Sequence, residues 1–250
     1  MKTIFERSSD LFKGVLLEDT FRHPTFTHLK SVFSDPWYNF IVPHTTPRDL
    51  NWQEIDQVIE EEKTRGYTLT YYIRENLLSE FKEYFASHGN NQEVGSECYM
   101  FKHTQKETPT LGEFALVTDD TLNQYINIAK SCFPGWDNSD QYSRLVYQYQ
   151  TTNQPTESAN FFLKVNDDLI GVGGVLYSKE ANLAYFHNVG ILEEYRRQGY
   201  FTAITHHSIN FALSKGITDS YALMEFEEPS YKGYKKMGYE LKDKYHIFEI

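Results

Sequence analysis

The alternation of apolar and polar residues divides the chain into two stretches with a similar order of elements. In the first stretch it predicts strands at 37–42, 67–73 and 97–103 and a short helix within 9–18. Two longer helices lie between these strands. Asn51 and Glu54 form a capping pair at the start of one, which Arg65-Gly66 ends, and the other spans 75–88.

The second stretch begins after 105–112, a segment with Lys, Thr and Pro that reads as a linker. A strand at 114–118 and helices at 123–132 and 140–149 precede three strands at 160–165, 169–177 and 183–191, joined by tight turns. The chain then alternates a helix that ends at Lys215-Gly216, a strand at 220–226, a short helix at 228–238 and closing strands at 239–250. The sequence therefore predicts an N-terminal α/β domain over residues 1–108 and a second domain over 109–250.

Composition and charge narrow the functions that the chain can have. Apolar residues make up 40% of the 250 and charged residues 24%, which is typical of a globular protein. The net charge of −11 is spread over both stretches, so no basic face is indicated and nucleic acid is not an expected partner. An acidic surface favours a cationic amine as substrate, although it can also serve solubility alone.

The two cysteines and the absence of long apolar runs bear on location. Cys98 and Cys132 fit no metal-binding spacing, and two lone cysteines indicate a reducing compartment. No stretch approaches the length needed to cross a membrane. We expect a cytoplasmic protein with no metal and no membrane partner.

The stretch from Asn188 to Ala203 carries the strongest chemical signal. An apolar strand turns through a basic, glycine-bearing loop into a helix, and the first turn of a helix presents backbone N–H groups without intrahelical acceptors. Gly199 allows close approach of a ligand, while Arg196 and Arg197 add positive charge. This loop is a candidate phosphate site; the alternative is an ordinary strand-to-helix connection.

The segment Tyr195-Arg-Arg-Gln-Gly-Tyr-Phe201 resembles the acyl-CoA signature of the GCN5-related N-acetyltransferase (GNAT) family. Arg196 and Gly199 match the first two positions of the motif, whereas Phe201 stands where the family has a small residue. The resemblance implies a CoA-binding loop and adjoining strand end formed by these residues: Val189, Gly190, Ile191, Arg196, Arg197, Gln198, Gly199, Tyr200, Phe201 and Thr202.

A second resemblance lies 35 residues after Gly199. Tyr234-Lys-Lys-Met-Gly-Tyr239 is similar to the family's Tyr-x-x-x-Gly-Phe element, which implies that Tyr234 is the general acid for the departing thiolate. Glu225 resembles a position where some relatives carry a catalytic Glu. His187 is a second candidate base, and it faces the same side as Val189 and Ile191 if the strand is regular. Each of these side chains can instead be structural.

The two resemblances together imply an acyl-CoA N-acyltransferase fold, with a mixed, mostly antiparallel twisted sheet flanked by helices. The implied reaction is direct transfer of an acetyl group from acetyl-CoA to a primary amine, on a small molecule or a peptide N-terminus. The first domain is then a degenerate copy or an accessory unit, and a homodimer is compatible with the pattern. Trp136 lies in a loop that resembles the family's acceptor-binding segment, where it can contact substrate or simply pack.

Three other functions remain open on the sequence. A CoA-binding regulatory protein that has lost catalysis is favoured by Phe201. An acyltransferase that uses a larger acyl or aminoacyl donor is consistent with paired halves. A plain interaction module would bind no CoA at all.

Overall fold

The protein folds around one eleven-stranded mixed sheet with helices on both faces. A computed structural model describes residues 2–88, 92–108, 111–150 and 154–250. The strands are β1 (Leu17–Arg22), β2 (Phe26–Ser31), β3 (Phe40–Pro43), β4 (Thr70–Arg74), β5 (Glu93–His103), β6 (Glu113–Leu116), β7 (Thr156–Val165), β8 (Asp168–Ser178), β9 (Leu183–Ile191), β10 (Asp219–Met224) and β11 (Glu240–Glu249). The helices are α1 (Ile4–Phe12), α2 (Trp52–Thr64), α3 (Leu78–His88), α4 (Leu122–Cys132), α5 (Ser139–Gln148), α6 (Tyr200–Ser214) and α7 (Pro229–Lys236).

The strand order in the sheet is β1-β2-β3-β4-β11-β5-β10-β9-β8-β7-β6. β3 pairs with β4 and β9 with β10 in parallel, and the other neighbours are antiparallel. Apolar residues of alternate positions fill both faces: α1, α4 and α5 cover one, and α2, α3, α6 and α7 cover the other. The prediction of a mixed, mostly antiparallel sheet flanked by helices is confirmed.

The two predicted domains share this sheet, because their strands alternate in its centre in the order β4-β11-β5-β10. β11, the last strand of the chain, lies between β4 and β5, and β5 also pairs along its length with β10. The loop between β5 and β6 contains the predicted boundary at 108/109, and residues 109–110 lie outside the described residues. The sheet itself therefore runs without a break from the first predicted domain into the second.

The N-terminal elements differ from the prediction. The helix expected within 9–18 begins earlier, at Ile4, because Thr3 and Glu6 form a capping box there. Residues 17–22 and 26–31 form a pair of strands that the pattern did not predict. β2 is buried on both faces, including the polar side chains of Thr27 and His28, so it lacks the alternation that marks a half-buried strand.

Other local predictions hold to within a few residues. The Asn51 side chain accepts a hydrogen bond from the Glu54 N–H at the start of α2, and Gly66 adopts φ +75° just past its end. α4 begins at Leu122, after a turn capped by Thr118 and Thr121. Among the described residues, no helix combines the length and the apolar character that a membrane span requires.

The shared sheet makes the second predicted domain dependent on the first. We expect residues 109–250 alone to lack a cooperative unfolding transition, because β11 would lose β4 and β5 and leave its backbone N–H and C=O groups unpaired. Thermal unfolding followed by circular dichroism measures this directly. The control is the full chain cleaved between 108 and 109 with both pieces present, which should unfold near the temperature of the intact protein. A fragment that unfolds cooperatively at that temperature would contradict the prediction.

Candidate functional site

The candidate site forms where the parallel strands β9 and β10 separate. They pair only at Ser220 with Ala184 and at Tyr221 with Tyr185, although β9 continues to Ile191. Beyond these pairs the two strands diverge, which leaves a gap in the middle of the sheet. The loop that follows β9 leads into α6 and the loop that follows β10 leads into α7, so both helices start beside this gap.

A β-bulge in β9 accompanies the separation. Gly174 of β8 pairs with His187 and Val172 pairs with Gly190, so two residues of β9, Asn188 and Val189, lie opposite one residue of β8. Asn188 has φ +51°. Its side-chain amide donates to the Tyr125 phenol of α4 at 3.3 Å and to the Ser143 hydroxyl of α5 at 3.1 Å. These bonds hold the bulge in place from the helices above it.

The bulge reverses the expected direction of His187. An alanine Cβ at Gly174 would lie 2.3 Å from the His187 ring, on the face covered by α5, whereas Ile191 packs with Ile204 of α6 on the opposite face. The expectation that His187 faces the same side as Val189 and Ile191 is therefore wrong, because the inserted residue shifts the alternation. The His187 ring instead contacts Tyr142, with centroids 5.7 Å apart.

Gly190 marks a close contact between β9 and α4. A Cβ at this position would lie 2.6 Å from Cys132 Cβ and 3.0 Å from the Phe133 ring. The glycine thus allows the strand end to pass directly under the end of α4.

The loop from Arg197 to Thr202 presents a row of free backbone donors. Gly199 has φ +90° and precedes α6, whose first helical bond runs from the Ala203 N–H to the Gly199 carbonyl. The N–H groups of residues 197–202 have no acceptor among the residues that the structure describes. Their partial positive charge adds to that of the helix N-terminus, which creates a site for an anion.

The two arginines of the loop have different surroundings. The Arg196 guanidinium donates from Nε to the Ile191 carbonyl at 3.0 Å and from Nη2 to the Cys132 carbonyl at 3.4 Å, which ties the loop to β9 and α4. Arg197 is exposed and adopts φ +64°, and Gln198 donates to the Glu194 carbonyl at 3.4 Å. Arg196 therefore shapes the loop, and Arg197 is the cation with free donors beside the amides.

Tyr234 of α7 lies against the start of α6. Its ring meets that of Phe201 edge to face at 5.3 Å, and it lies near Thr205, whose hydroxyl donates to the Phe201 carbonyl at 3.0 Å. A Cβ at Gly233 would lie 2.8 Å from the Phe201 ring, so the missing side chain of Gly233 accommodates the bulk of Phe201. Burial raises the pKa of Tyr234, which keeps the phenol protonated at neutral pH.

The two bases suggested by the sequence occupy contrasting places. Glu225 is exposed just after β10 ends. His187 is 2% exposed, neither ring nitrogen has a hydrogen-bond partner among the described residues, and burial lowers its pKa to about 3. Tyr185 lies between His187 and Tyr221, with centroid distances of 6.1 and 5.1 Å.

The sequence analysis missed Glu97 of β5, a carboxyl from the first predicted domain. Its side chain is 9% exposed, and burial raises its pKa to about 8, with a further contribution from the charge of Asp35. Residues 97, 99 and 101 share one face of a strand, and the aromatic residue Tyr99 indicates that this face points inward. The sequence signal for a buried acid was therefore a glutamate on the same face as Tyr99. No cluster of potential metal ligands occurs in the ranges that the structure describes.

Comparisons with known proteins agree with this geometry. Residues 122–239 match the model of the acetyltransferase (GNAT) family. Among solved structures, a GCN5-related N-acetyltransferase from Kribbella flavida matches with a TM-score of 0.69 at 14% identity, over 100% of this chain and 96% of that one. A conserved Staphylococcus epidermidis protein of unknown function matches with a TM-score of 0.65 at 16% identity, over 95% of this chain and 96% of that one.

A further solved structure is composed of two such units. A tandem GNAT protein from the clavulanic acid biosynthesis pathway matches with a TM-score of 0.57 at 12% identity, over 92% of this chain and 80% of that one. These identities show the shared fold alone, and a search of curated proteins found no match. The family model covers the bulged strand, the amide-bearing loop and Tyr234, and residues 122–239 are therefore a domain of the GNAT acetyltransferase family.

Proposed function

We propose that the protein transfers an acetyl group from acetyl-CoA to a primary amine. The observation that carries this proposal is the row of free N–H groups from Arg197 to Thr202, at the mouth of the gap between β9 and β10. A diphosphate can accept several of these donors at once, and Arg197 supplies charge beside them. We assign the CoA diphosphate to this loop and the donor's extended arm to the gap, along the backbone of Val189, Gly190 and Ile191.

Direct attack of the amine on the thioester fits the chemistry of the side chains better than a covalent enzyme intermediate. The two thiols are poor nucleophiles because burial raises the pKa of Cys98 to about 12 and that of Cys132 to about 11. In the proposed reaction, Tyr234 donates a proton to the departing thiolate. Glu225 and His187 remain candidates for the group that accepts a proton from the amine.

The acceptor is proposed to be a cationic amine, either a small molecule or a peptide N-terminus. The net charge of −11 supports a positively charged substrate through long-range attraction. Both cysteines are free, which is consistent with a reducing compartment such as the cytoplasm.

A CoA-binding regulatory protein without catalysis is the second candidate. Phe201 favours it, because its ring packs on α7 beside Tyr234 where the family has a small residue. Thiol release in the presence of acetyl-CoA and a panel of amines separates the two functions. Binding of acetyl-CoA without release on any amine would support the regulatory protein.

A negatively charged side chain at Gly199 tests whether the N–H groups of this loop bind the diphosphate. We expect Gly199→Asp to weaken acetyl-CoA binding by about 100-fold, because a carboxylate at the helix start repels the diphosphate and competes for the same N–H groups. Gly199→Asn is the matched control, since Asn has the same shape and also tolerates φ +90° but carries no charge. Isothermal titration calorimetry measures both affinities. Equal affinities for the two variants would show that the diphosphate binds elsewhere.

The role of Tyr234 can be tested by removing its hydroxyl. We expect Tyr234→Phe to lower kcat by roughly 10- to 100-fold while the affinity for acetyl-CoA changes little, because the hydroxyl acts on the leaving group. Tyr239→Phe is the control: Tyr239 packs 5.0 Å from the Tyr234 ring, and its hydroxyl bonds to Ser220 away from the loop. Steady-state kinetics of thiol release measure both. A Tyr234→Phe enzyme as active as Tyr239→Phe would exclude the proposed acid.

A further inference from the structure

Glu225 lies across the gap in the sheet from the bulged end of β9. The two parallel strands last pair at Tyr221 with Tyr185, and both then continue in the same direction. Strands advance by about 3.3 Å per residue, so Glu225, four residues past Tyr221, stands near the level of Val189, four residues past Tyr185. The carboxylate therefore borders the gap opposite the backbone to which we assign the donor's extended arm.

Glu225 extends from the face of the sheet that α1 covers. Tyr221 meets this helix, since its phenol lies 2.6 Å from the Ser8 hydroxyl, and alternate residues of a strand share a face. Met224 and Tyr234 belong to the apolar cluster of the opposite face. Glu225 and Tyr234 therefore approach the gap from opposite faces, which separates a place for the amine from the place of the leaving thiolate.

The missing side chain of Gly95 in β5 leaves a point that the Glu225 carboxylate shares with an aromatic ring. A Cβ at Gly95 would lie 3.9 Å from Glu225 Oε1 and 3.3 Å from Cη2 of the Trp37 ring. The carboxylate oxygen and this ring atom are thus no more than about 7 Å apart. A cation about 3 Å from the carboxylate can then lie within the roughly 6 Å of a ring centroid at which aromatic faces attract cations.

Both halves of the chain hold the Trp37 backbone in place. The Trp37 N–H donates to Asp35 Oδ1 at 2.9 Å, and the Trp37 carbonyl accepts from the Tyr72 phenol at 3.2 Å. Asp35 also accepts from the Trp136 Nε1–H at 3.0 Å and from the Asn138 amide at 3.2 Å, both in the second half. A ring on a backbone fixed in this way loses little freedom when a ligand binds.

No cation among the described residues neutralises this arrangement. Glu225 forms no ion pair there, and no lysine or arginine lies over the Trp37 ring. Lys244 of the nearby strand β11 pairs with Glu75 at 3.0 Å, and its ammonium lies 4.2 Å from the centre of the Phe226 ring. The carboxylate, which is exposed, and the ring are therefore both available to a cation from solution.

His187, the other candidate for contact with the amine, has different surroundings. Its ring is 2% exposed and lies over Gly174, where a Cβ would be only 2.3 Å away. Neither ring nitrogen forms a hydrogen bond with a described residue, so no carboxylate is bonded to it. An ammonium that reached His187 would lose its water without a carboxylate to replace it, which is costly.

We propose that Glu225 and Trp37 bind the primary ammonium group of the acceptor, with the carboxylate accepting its hydrogen bonds and the indole covering another side of it. The proposal rests on the proposed acetyl transfer; it selects Glu225 over His187 and adds a residue from the first half of the chain. Recognition by a carboxylate and a ring favours a protonated alkylamine over an uncharged arylamine. Trp136 then acts indirectly, because it supports Asp35 and through it Trp37.

Kinetics with two acceptors test this site. Phenethylamine is protonated at neutral pH, whereas 4-methoxyaniline is not. We expect Glu225→Gln to raise KM for phenethylamine about 10-fold and Trp37→Leu about 5-fold, since each removes one contact with the ammonium. KM for 4-methoxyaniline should change by less than about 2-fold, and acetyl-CoA affinity should stay the same. Equal rises for the two acceptors would indicate a change in the shape of the site and would overturn the proposal.

Two control variants remove the same chemical groups elsewhere. Glu227→Gln removes an exposed carboxylate two residues further along, and Trp52→Leu removes an indole that stacks on Tyr84 of α3 at 4.6 Å. Both should leave KM for the two amines unchanged. A rise for Glu227→Gln as large as that for Glu225→Gln would show that overall charge attracts the amine, and the proposed site would then be wrong.

A binding measurement tests the site without catalysis. In ¹H–¹⁵N NMR spectra, the Trp37 indole signal, assigned by its loss in Trp37→Leu, should shift when phenethylammonium chloride is added. It should not shift with 2-phenylethanol, which has the same ring and chain but no charge. The shift should weaken in Glu225→Gln. An indole signal that does not respond to phenethylammonium, or responds equally to the alcohol, would overturn the proposal.

These results separate the ammonium site from the function on which it rests. If the indole signal responds as expected but the wild-type protein acetylates no amine, acetyl transfer is wrong and the ammonium site stands as a binding site. If the wild type acetylates amines while Glu225→Gln and Trp37→Leu leave KM for phenethylamine unchanged, the ammonium site alone is wrong.

Discussion

The early separation of β9 from β10 is the constraint on which the rest of the structure depends. Two paired residues hold these parallel strands together at Tyr185 and Tyr221, and from there the sheet is open. The bulge at Asn188 keeps it open, because its side chain is bonded to both α4 and α5. An open sheet brings the first turn of α6, with its free donors, and the Tyr234 ring of α7 to one place.

The first half of the chain borders this part of the sheet. β5 takes the place beside β10, and β11 is inserted between β4 and β5, so neither half completes its sheet alone. Glu97 and Tyr99 of β5 line a narrow cavity together with Leu223 of β10, and Trp37 and Tyr38 line it from the loop before β3. The first half thus completes the sheet beside β10, and its own helix α2 begins at a side-chain cap, Asn51.

The sequence pointed to the parts of the candidate site that depend on short-range signals. A glycine between a strand and a helix, with arginines beside it, led to the loop at 196–202, and the spacing to Tyr234 matched one helix and one strand. The remaining parts depend on long-range pairing. His187 was placed on the wrong face because a bulge cannot be seen in an alternating pattern, and Glu97 was missed because only the folded sheet brings β5 next to β10. β2 was missed because burial on both faces removes the alternation.

The most direct test of the account is the response of the backbone amides of residues 197–202 to CoA, followed by ¹H–¹⁵N NMR of the labelled protein. The account predicts that saturating CoA shifts the amide signals of these residues strongly, and that dephosphorylated pantetheine, which lacks the diphosphate, leaves them nearly unchanged. CoA that binds with these six signals unmoved would contradict the central claim that free amides at the start of α6 hold the diphosphate.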